Sequence, residues 1–159
     1  MAKITKTNVM RILDKENIEY KMHTYDNKDG RIDGVAVAAK LGQDVSKVYK
    51  TLVTQGHSKN YFVFVIPVIE ELDLKAAAKS VKEKSIEMIK IVDIYKITGY
   101  IRGGCSPIGM KKLYRTVIDE SCIELETIIV SAGKIGFQVE LSPFDLLKII
   151  EGSLAHVIA

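Results

Sequence analysis

The chain opens with apolar residues at helical spacing. Val9, Ile12 and Leu13 share one face of a helix expected from Thr7 to about Glu16, and Thr7 or Thr5 can cap its free amides. The period then drops to two. From Glu19 to Tyr25, Tyr20 and Met22 fall on one side and Lys21, His23 and Tyr25 on the other, which predicts a strand. Asp29-Gly30 marks a turn, and Asp33 is placed to cap a short Ala/Val-rich helix that Gly42 ends. Val48 to Thr54 and Tyr61 to Val68 read as a hairpin joined through residues 55–60, the second strand apolar on both faces and therefore central. Asp73 opens a helix through Ala76, Ala77, Ala78 and Val81, and a further short helix fits Asp93 to Thr98 with Gly99 past its end. Leu113 to Asp119, Thr127 to Ser131 and Phe137 to Leu141 are the remaining strands, the last two joined by a glycine turn over residues 132–136. Ser142 caps a final helix with Pro143 at its first position, and Gly152 follows its apolar face. Most links between strands read as hairpins rather than regular crossover helices. The fold class expected is α+β: a mixed, mostly antiparallel sheet forming a partly closed barrel flanked by helices.

Length and composition narrow the class without naming a function. A chain of 159 residues with neither repeats nor linkers is a single domain over 1–159. The longest apolar run, Tyr61 to Ile69, is broken by Pro67 and falls far short of the roughly 20 residues of a membrane span. Residues Met1 to Lys6 lead into helical patterning with no leader-like apolar region, so a cytoplasmic protein without membrane contact is expected. Cys105 and Cys122 then do not suggest a disulfide framework. A net charge of +3 neither demands nor excludes a nucleic-acid partner.

The common catalytic constellations are missing. His23, His57 and His156 lie far apart, and no CxxC, His-Glu-x-x-His, Gly-x-Ser-x-Gly or phosphate-loop pattern occurs. Neither a metal nor a cofactor is therefore expected. Three segments stand out. Lys50, inside Val48-Tyr49-Lys50-Thr51-Leu52, is either an exposed strand residue or a cation fixed on a rigid element for a phosphate or a developing oxyanion. The stretch from Gly99 to Gly109 holds four glycines and a proline, and Gly103-Gly104-Cys105-Ser106-Pro107 is either a plain connection or a loop presenting backbone amides to an ester. Cys105 reads as a small loop thiol rather than a nucleophile, because no activating base is evident. Val130-Ser131-Ala132-Gly133-Lys134 is a hairpin turn whose hydroxyl could also orient a substrate.

Taken together, these segments resemble the YbaK/EbsC family of aminoacyl-tRNA deacylases, in particular its Cys-tRNA(Pro) deacylase branch. The matching pieces run in order over nearly the whole chain: His23-Thr24-Tyr25, Lys40-Leu41-Gly42, Val48 to Leu52, Leu72-Asp73-Leu74-Lys75, Ile86-Glu87-Met88 and Thr98-Gly99-Tyr100. They continue through Gly103-Gly104, Ser106-Pro107, Gly109 and Lys111-Lys112 to Val130-Ser131, Gly133-Lys134 and Val139-Glu140-Leu141.

The resemblance implies an editing domain of the kind associated with prolyl-tRNA synthetase, cleaving the ester between a mischarged amino acid and the 3′ end of tRNA. It implies Lys50 and Gly103 as catalytic residues, the lysine on phosphate and the glycine offering its backbone. It implies Tyr25, Thr51, Gly104, Ser131, Gly133 and Gln138 as the substrate-binding set. The implied partners are aminoacyl-tRNA and a prolyl-tRNA synthetase that selects it. Two positions depart from the cysteine-specific pattern: Gln138 stands where aspartate is frequent, and the segment near Asp33 lacks a frequent aromatic residue. The alternatives are a deacylase for another substrate such as Ala-tRNA(Pro), or a module that binds the aminoacyl end without cleaving it. An aminoacyl ester is already activated, and a cysteinyl ester brings its own thiol, with a pKa near about 8.5. Intramolecular attack by that thiol requires chiefly that the ester be held in position.

Overall fold

The structure is a computed structural model and describes residues 6–159; the alternative cap Thr5 and the leader reading of Met1 to Thr5 lie outside these residues. Helix α1 (Asn8–Lys15) begins where Thr7 accepts a hydrogen bond from the Met10 amide, and it buries Val9, Met10 and Leu13. Strand β1 (Lys21–Thr24) follows, then α2 (Gly34–Leu41), capped by the Asp33 carboxylate at the Ala36 amide and closed by Gly42 in the left-handed region. The central hairpin is β2 (Tyr49–Gly56) and β3 (Tyr61–Pro67). Helix α3 (Leu74–Ser80) starts at Asp73 and leads to β4 (Ile86–Met88). After α4 (Ile94–Thr98), the glycine-rich stretch reaches β5 (Arg115–Asp119). The chain closes with β6 (Ile128–Ser131), β7 (Phe137–Leu141), α5 (Pro143–Ile149) and β8 (Ser153–Ala155).

These strands form two sheets rather than one partly closed barrel, which corrects the sequence expectation. One has the order β1-β7-β6 and is wholly antiparallel. The other has the order β4-β2-β3-β5-β8, in which β3 and β8 both run parallel to β5. A single parallel bridge, Val48 to Ile129, joins the sheets just before β2. Among the described residues no ladder joins the two sheets, and the helical turn Val45–Lys47 immediately precedes β2 at this bridge. Over both sheets four of the six strand pairings are antiparallel, while the five-stranded sheet alone is evenly mixed. The two short strands β4 and β8, neither read from sequence, form its edges. The link from β3 to the parallel β5 also contains helices, contrary to a chain connected mostly by hairpins.

The main core lies between α1, α5 and the two sheets, around Met10, Leu13, Val65, Ile118, Ile128 and Leu141. A second cluster fills the space under α3 around Phe64, Ile66 and Val117, and a third holds Ala38 of α2 against Val48, Val68 and Ile129. That third cluster positions the site. It fixes α2 across the seam where the two sheets part. Near the same seam, Glu140 of β7 accepts from His23 Nε2 at 2.8 Å, lies 3.4 Å from Lys47 Nζ and accepts the Thr127 hydroxyl. Burial alone would raise the Glu140 pKa, but the Thr127 and His23 hydrogen bonds and the Lys47 charge outweigh it and hold it at about 2.

Among the described residues no helix is long and apolar enough to cross a membrane.

Candidate functional site

A cleft of about 610 Å³ opens at the seam. Its walls come from the start of β2, the loop after β1, the first turns of α2, the glycine-rich loop, and the paired ends of β6 and β7. The segments gather for a local reason. Ser131 pairs with Gln138 across the β6–β7 hairpin, and the Tyr25 amide donates to the Gly136 carbonyl, which brings the loop after β1 to that hairpin.

Six residues expected from the resemblance line this cleft together: Tyr25, Lys50, Thr51, Gly103, Ser131 and Gln138. Gly104 and Gly133 do not line it. A Cβ at Gly104 would stand 3.1 Å from the Ile135 amide nitrogen, and one at Gly133 would stand 3.0 Å from the Tyr100 ring. Both glycines serve the close packing of the loop against the β6–β7 turn, behind the wall. Residues that the sequence reading did not assign to the site also line it, notably Ile32, Asp33, Arg102, Cys105 and Phe137. Arg102 was legible only as a basic residue beside the glycine pair; the others come from segments whose meeting is a tertiary event.

Lys50 alternates along β2 with the buried Tyr49, whose phenol is bonded to the Ser121 hydroxyl at 2.7 Å. No carboxylate or hydrogen-bond acceptor among the described residues holds the Lys50 ammonium. Its neighbour Thr51 has a buried hydroxyl oxygen without any partner. Gln138 is held from behind: Gln43 Nε2, just past the end of α2, donates to Gln138 Oε1 at 2.9 Å. That bond accommodates glutamine at the position where the resemblance makes aspartate frequent, its amide oxygen held by Gln43 just past α2.

The glycine-rich loop is tightly pinned. Tyr100 donates its hydroxyl to the Ile108 carbonyl at 2.6 Å, and the Gly104 amide donates to the Ile101 carbonyl at 3.0 Å. Gly103 sits at φ +86°, and a Cβ there would come 2.6 Å from Ile32 Cδ1, so only glycine fits without displacement. The N–H groups of Gly103 and Cys105, both cleft residues, find no acceptor among the described residues. Burial pushes the Cys105 thiol up to about 11, a hydrogen bond with Thr98 offsetting it only in part. The buried Cys122, in the main core, is likewise raised to about 11, by burial first and by Asp119 second. Neither thiol is set up as a thiolate near neutral pH. Among the described residues the cleft thus combines an unpaired cation and free amides with no activated protein thiol.

Comparison with known proteins gives this arrangement a family. A model of the aminoacyl-tRNA editing domain matches residues 33–149. The chain is 42% identical over 152 residues to the candidate Cys-tRNA(Pro)/Cys-tRNA(Cys) deacylase EbsC of Enterococcus faecalis, covering 96% of this chain and 93% of that one. Among solved structures, a candidate trans-editing enzyme for prolyl-tRNA synthetase superposes with a TM-score of 0.80 at 17% identity, covering 98% of this chain and 99% of the other. Hypothetical protein APE2540 superposes with a TM-score of 0.86 at 18% identity, over 95% of this chain and 99% of that one. At such identities the two structures attest to the fold. The family model and the EbsC match, each spanning most of the chain, go further: the protein belongs to the YbaK/EbsC family of aminoacyl-tRNA editing domains.

Proposed function

We propose that this protein is a trans-editing deacylase that releases cysteine from Cys-tRNA(Pro), with the substrate's own thiol as the attacking group. The observation that carries the reading is the coexistence, in one cleft, of an unpaired Lys50 with a Cys105 thiol raised to about 11. A site built this way holds a charged group well and attacks it poorly. Lys50 takes a phosphate at the 3′ end of the tRNA, and the free amides of Gly103 and Cys105 stand near the oxyanion as the ester carbonyl is attacked. Thr51, Ser131 and Gln138 line the space for the aminoacyl group, and Tyr25 borders it beside the β6–β7 turn.

In the bond-making step, the cysteinyl sulfur attacks its own carbonyl carbon. The C–O bond to the ribose breaks, and the ribose oxygen takes up the proton lost by the thiol. The cyclic thioester released is then opened by water. Proximity of this kind can supply up to about 7–11 kcal/mol in ideal cases, so no catalytic triad is needed. A prolyl-tRNA synthetase supplies the tRNA selection that so small a domain lacks.

The test is a timed deacylation of Cys-tRNA(Pro), Ala-tRNA(Pro) and Ser-tRNA(Pro) by the purified protein. Rapid loss of cysteine with slow loss of serine and alanine is expected, since a hydroxyl and a methyl group cannot replace the thiol as attacker. Equal rates on serine and cysteine would mean that the protein positions a water. Preference for alanine would move the specificity, and binding without cleavage of any of the three would leave a recognition module.

A further inference from the structure

The basic residues of this chain are not spread evenly. Residues 90–115 carry Lys90, Lys96, Arg102, Lys111, Lys112 and Arg115 against the single acid Asp93. The rest of the chain carries 17 basic and 19 acidic residues, so the net positive charge resides in this one segment. The fold gathers it. The Lys111 amide donates to the Thr98 carbonyl at 3.0 Å, and its ammonium reaches the Lys96 carbonyl at 3.2 Å while lying 5.3 Å from the centre of the Tyr95 ring. The Tyr114 hydroxyl donates to the Ile97 carbonyl at 2.7 Å, which seats the stretch before β5 against α4. Lys90, Lys96, Lys111 and Lys112 are exposed, as is Tyr95. Arg115 turns away toward the carbonyls of Ser80 and Val81. Along the chain, Gly99 leads from α4 through the exposed Ile101 to Arg102, which stands on the cleft wall.

We infer that this α4 face, from Lys90 to Lys112, is the docking surface for the acceptor-stem backbone of the RNA whose 3′ end enters the cleft. The inference rests on the proposed function and deepens it. An ester held at Lys50 and Gly103 is joined to a duplex that must leave past the mouth of the cleft, and Arg102 connects that mouth to the lysine-rich face. Exposed ammonium groups pair with backbone phosphates, and such contacts position a nucleic acid without reading its sequence. Exposed Tyr95, with the Lys111 cation at its ring, supplies a stacking platform beside them.

Two measurements on wild type and on a Lys90→Glu, Lys96→Glu, Lys112→Glu variant test this. In the first, binding of an uncharged acceptor-stem minihelix is followed across salt concentration. In the second, deacylation of Cys-tRNA(Pro) is compared with that of the short ester 3′-cysteinyl-adenosine. The variant should bind the minihelix at least about tenfold more weakly, with the salt slope reduced by about two to three. Its KM for the tRNA should rise with kcat unchanged, while the short ester is cleaved as before.

Unchanged minihelix binding overturns the inference, as does an equal loss on the short ester. Loss of binding to prolyl-tRNA synthetase with minihelix affinity intact would overturn it too, making the face a protein-docking surface. A wild type that binds the minihelix in this way yet cleaves neither ester would support the docking surface and sink the proposed function.

Discussion

Lys47 and Lys50 lie three residues apart on either side of the start of β2, and their surroundings are opposite. Lys47 belongs to the cluster around Glu140, where His23, Thr127 and the lysine converge on one half-buried carboxylate. Lys50 faces the cleft, and no carboxylate among the described residues pairs with it. A charge whose partners lie within the chain contributes to holding elements together; here it holds β1, the turn before β2, and β7. A charge left without partners is available to a ligand, and the fold places it on a wall rather than inside the core. Lys40 sharpens the contrast, since its ammonium is spent on Asp29 and on the carbonyls of Asp26 and Arg31, bracing the loop that borders the cleft.

The largest effect should come from the unpartnered side. Lys50→Ala is expected to lower kcat/KM for deacylation by about 10²-fold, because the ester loses the phosphate anchor that holds it in position for attack. Its unfolding free energy should stay within about 0.5 kcal/mol of wild type, as for substitutions that break no buried contact. Lys50→Arg should recover little, because a planar guanidinium does not replace a compact ammonium in a tight site. Near-normal turnover in the alanine variant, with its circular dichroism unchanged, would remove Lys50 from the mechanism.

The partnered side should behave in reverse. Glu140 has its pKa lowered from 4.5 to about 2, and its side chain is only 14% exposed, so the shift corresponds to about 3 kcal/mol of stability. The sign follows from the direction of the shift. A depressed carboxylate contributes fully above its unfolded pKa and loses that contribution as pH falls through about 2. Glu140→Gln should therefore destabilise the protein by about 2–3 kcal/mol at pH 7. The gap from wild type should narrow between about pH 4.5 and pH 2. Urea unfolding across that range measures it, and turnover at neutral pH should change by no more than about twofold, since Glu140 does not line the cleft. A variant gap that ignores pH would show that the cluster holds the sheet by packing alone.

The same contrast explains what the sequence disclosed. Thr7, Asp33, Asp73 and Ser142 were legible as caps because each acts on amides two or three residues away. Lys50 and Gly103 stood out because a lysine in a strand and a glycine pair before a proline are locally unusual. β4 and β8 were not legible, since three residues carry no period and their pairing is decided by β2 and β5. The failure of the barrel to close was equally hidden, because it depends on one bridge between segments some 80 residues apart. Lys47 and Glu140 are 93 positions apart, and Gln43 and Gln138 are 95, so neither pair leaves a trace in spacing. The charge concentration in residues 90–115 was visible in principle. A net charge taken over the whole chain averaged it away.

The smallest effect expected is also the one that separates two chemistries. If the substrate's thiol performs the attack, a Cys105→Ala, Cys122→Ala double variant should deacylate Cys-tRNA(Pro) at close to the wild-type rate. Cys105 stands in the cleft, so its removal widens the wall by one sulfur and should alter KM by no more than about twofold, in keeping with the small cost of substitutions outside key contacts. Cys122 is buried in the main core, and its loss should cost about 1 kcal/mol of stability through the space it leaves. Turnover and unfolding must therefore be measured on the same preparation, so that a partly unfolded sample is not taken for a slow enzyme. The pH profile gives an independent reading. Attack by Cys105, whose thiol burial holds well above the usual range, would keep the enzyme-catalysed rate rising past about pH 8.5 once the alkaline hydrolysis of the ester itself is subtracted. Attack by the cysteinyl thiol would level off near its own pKa of about 8.5 or below. A dead double variant with an intact fold, together with an enzyme-dependent rate still rising above about pH 8.5, would return the nucleophile to the protein and leave Lys50 as an electrostatic aid to it.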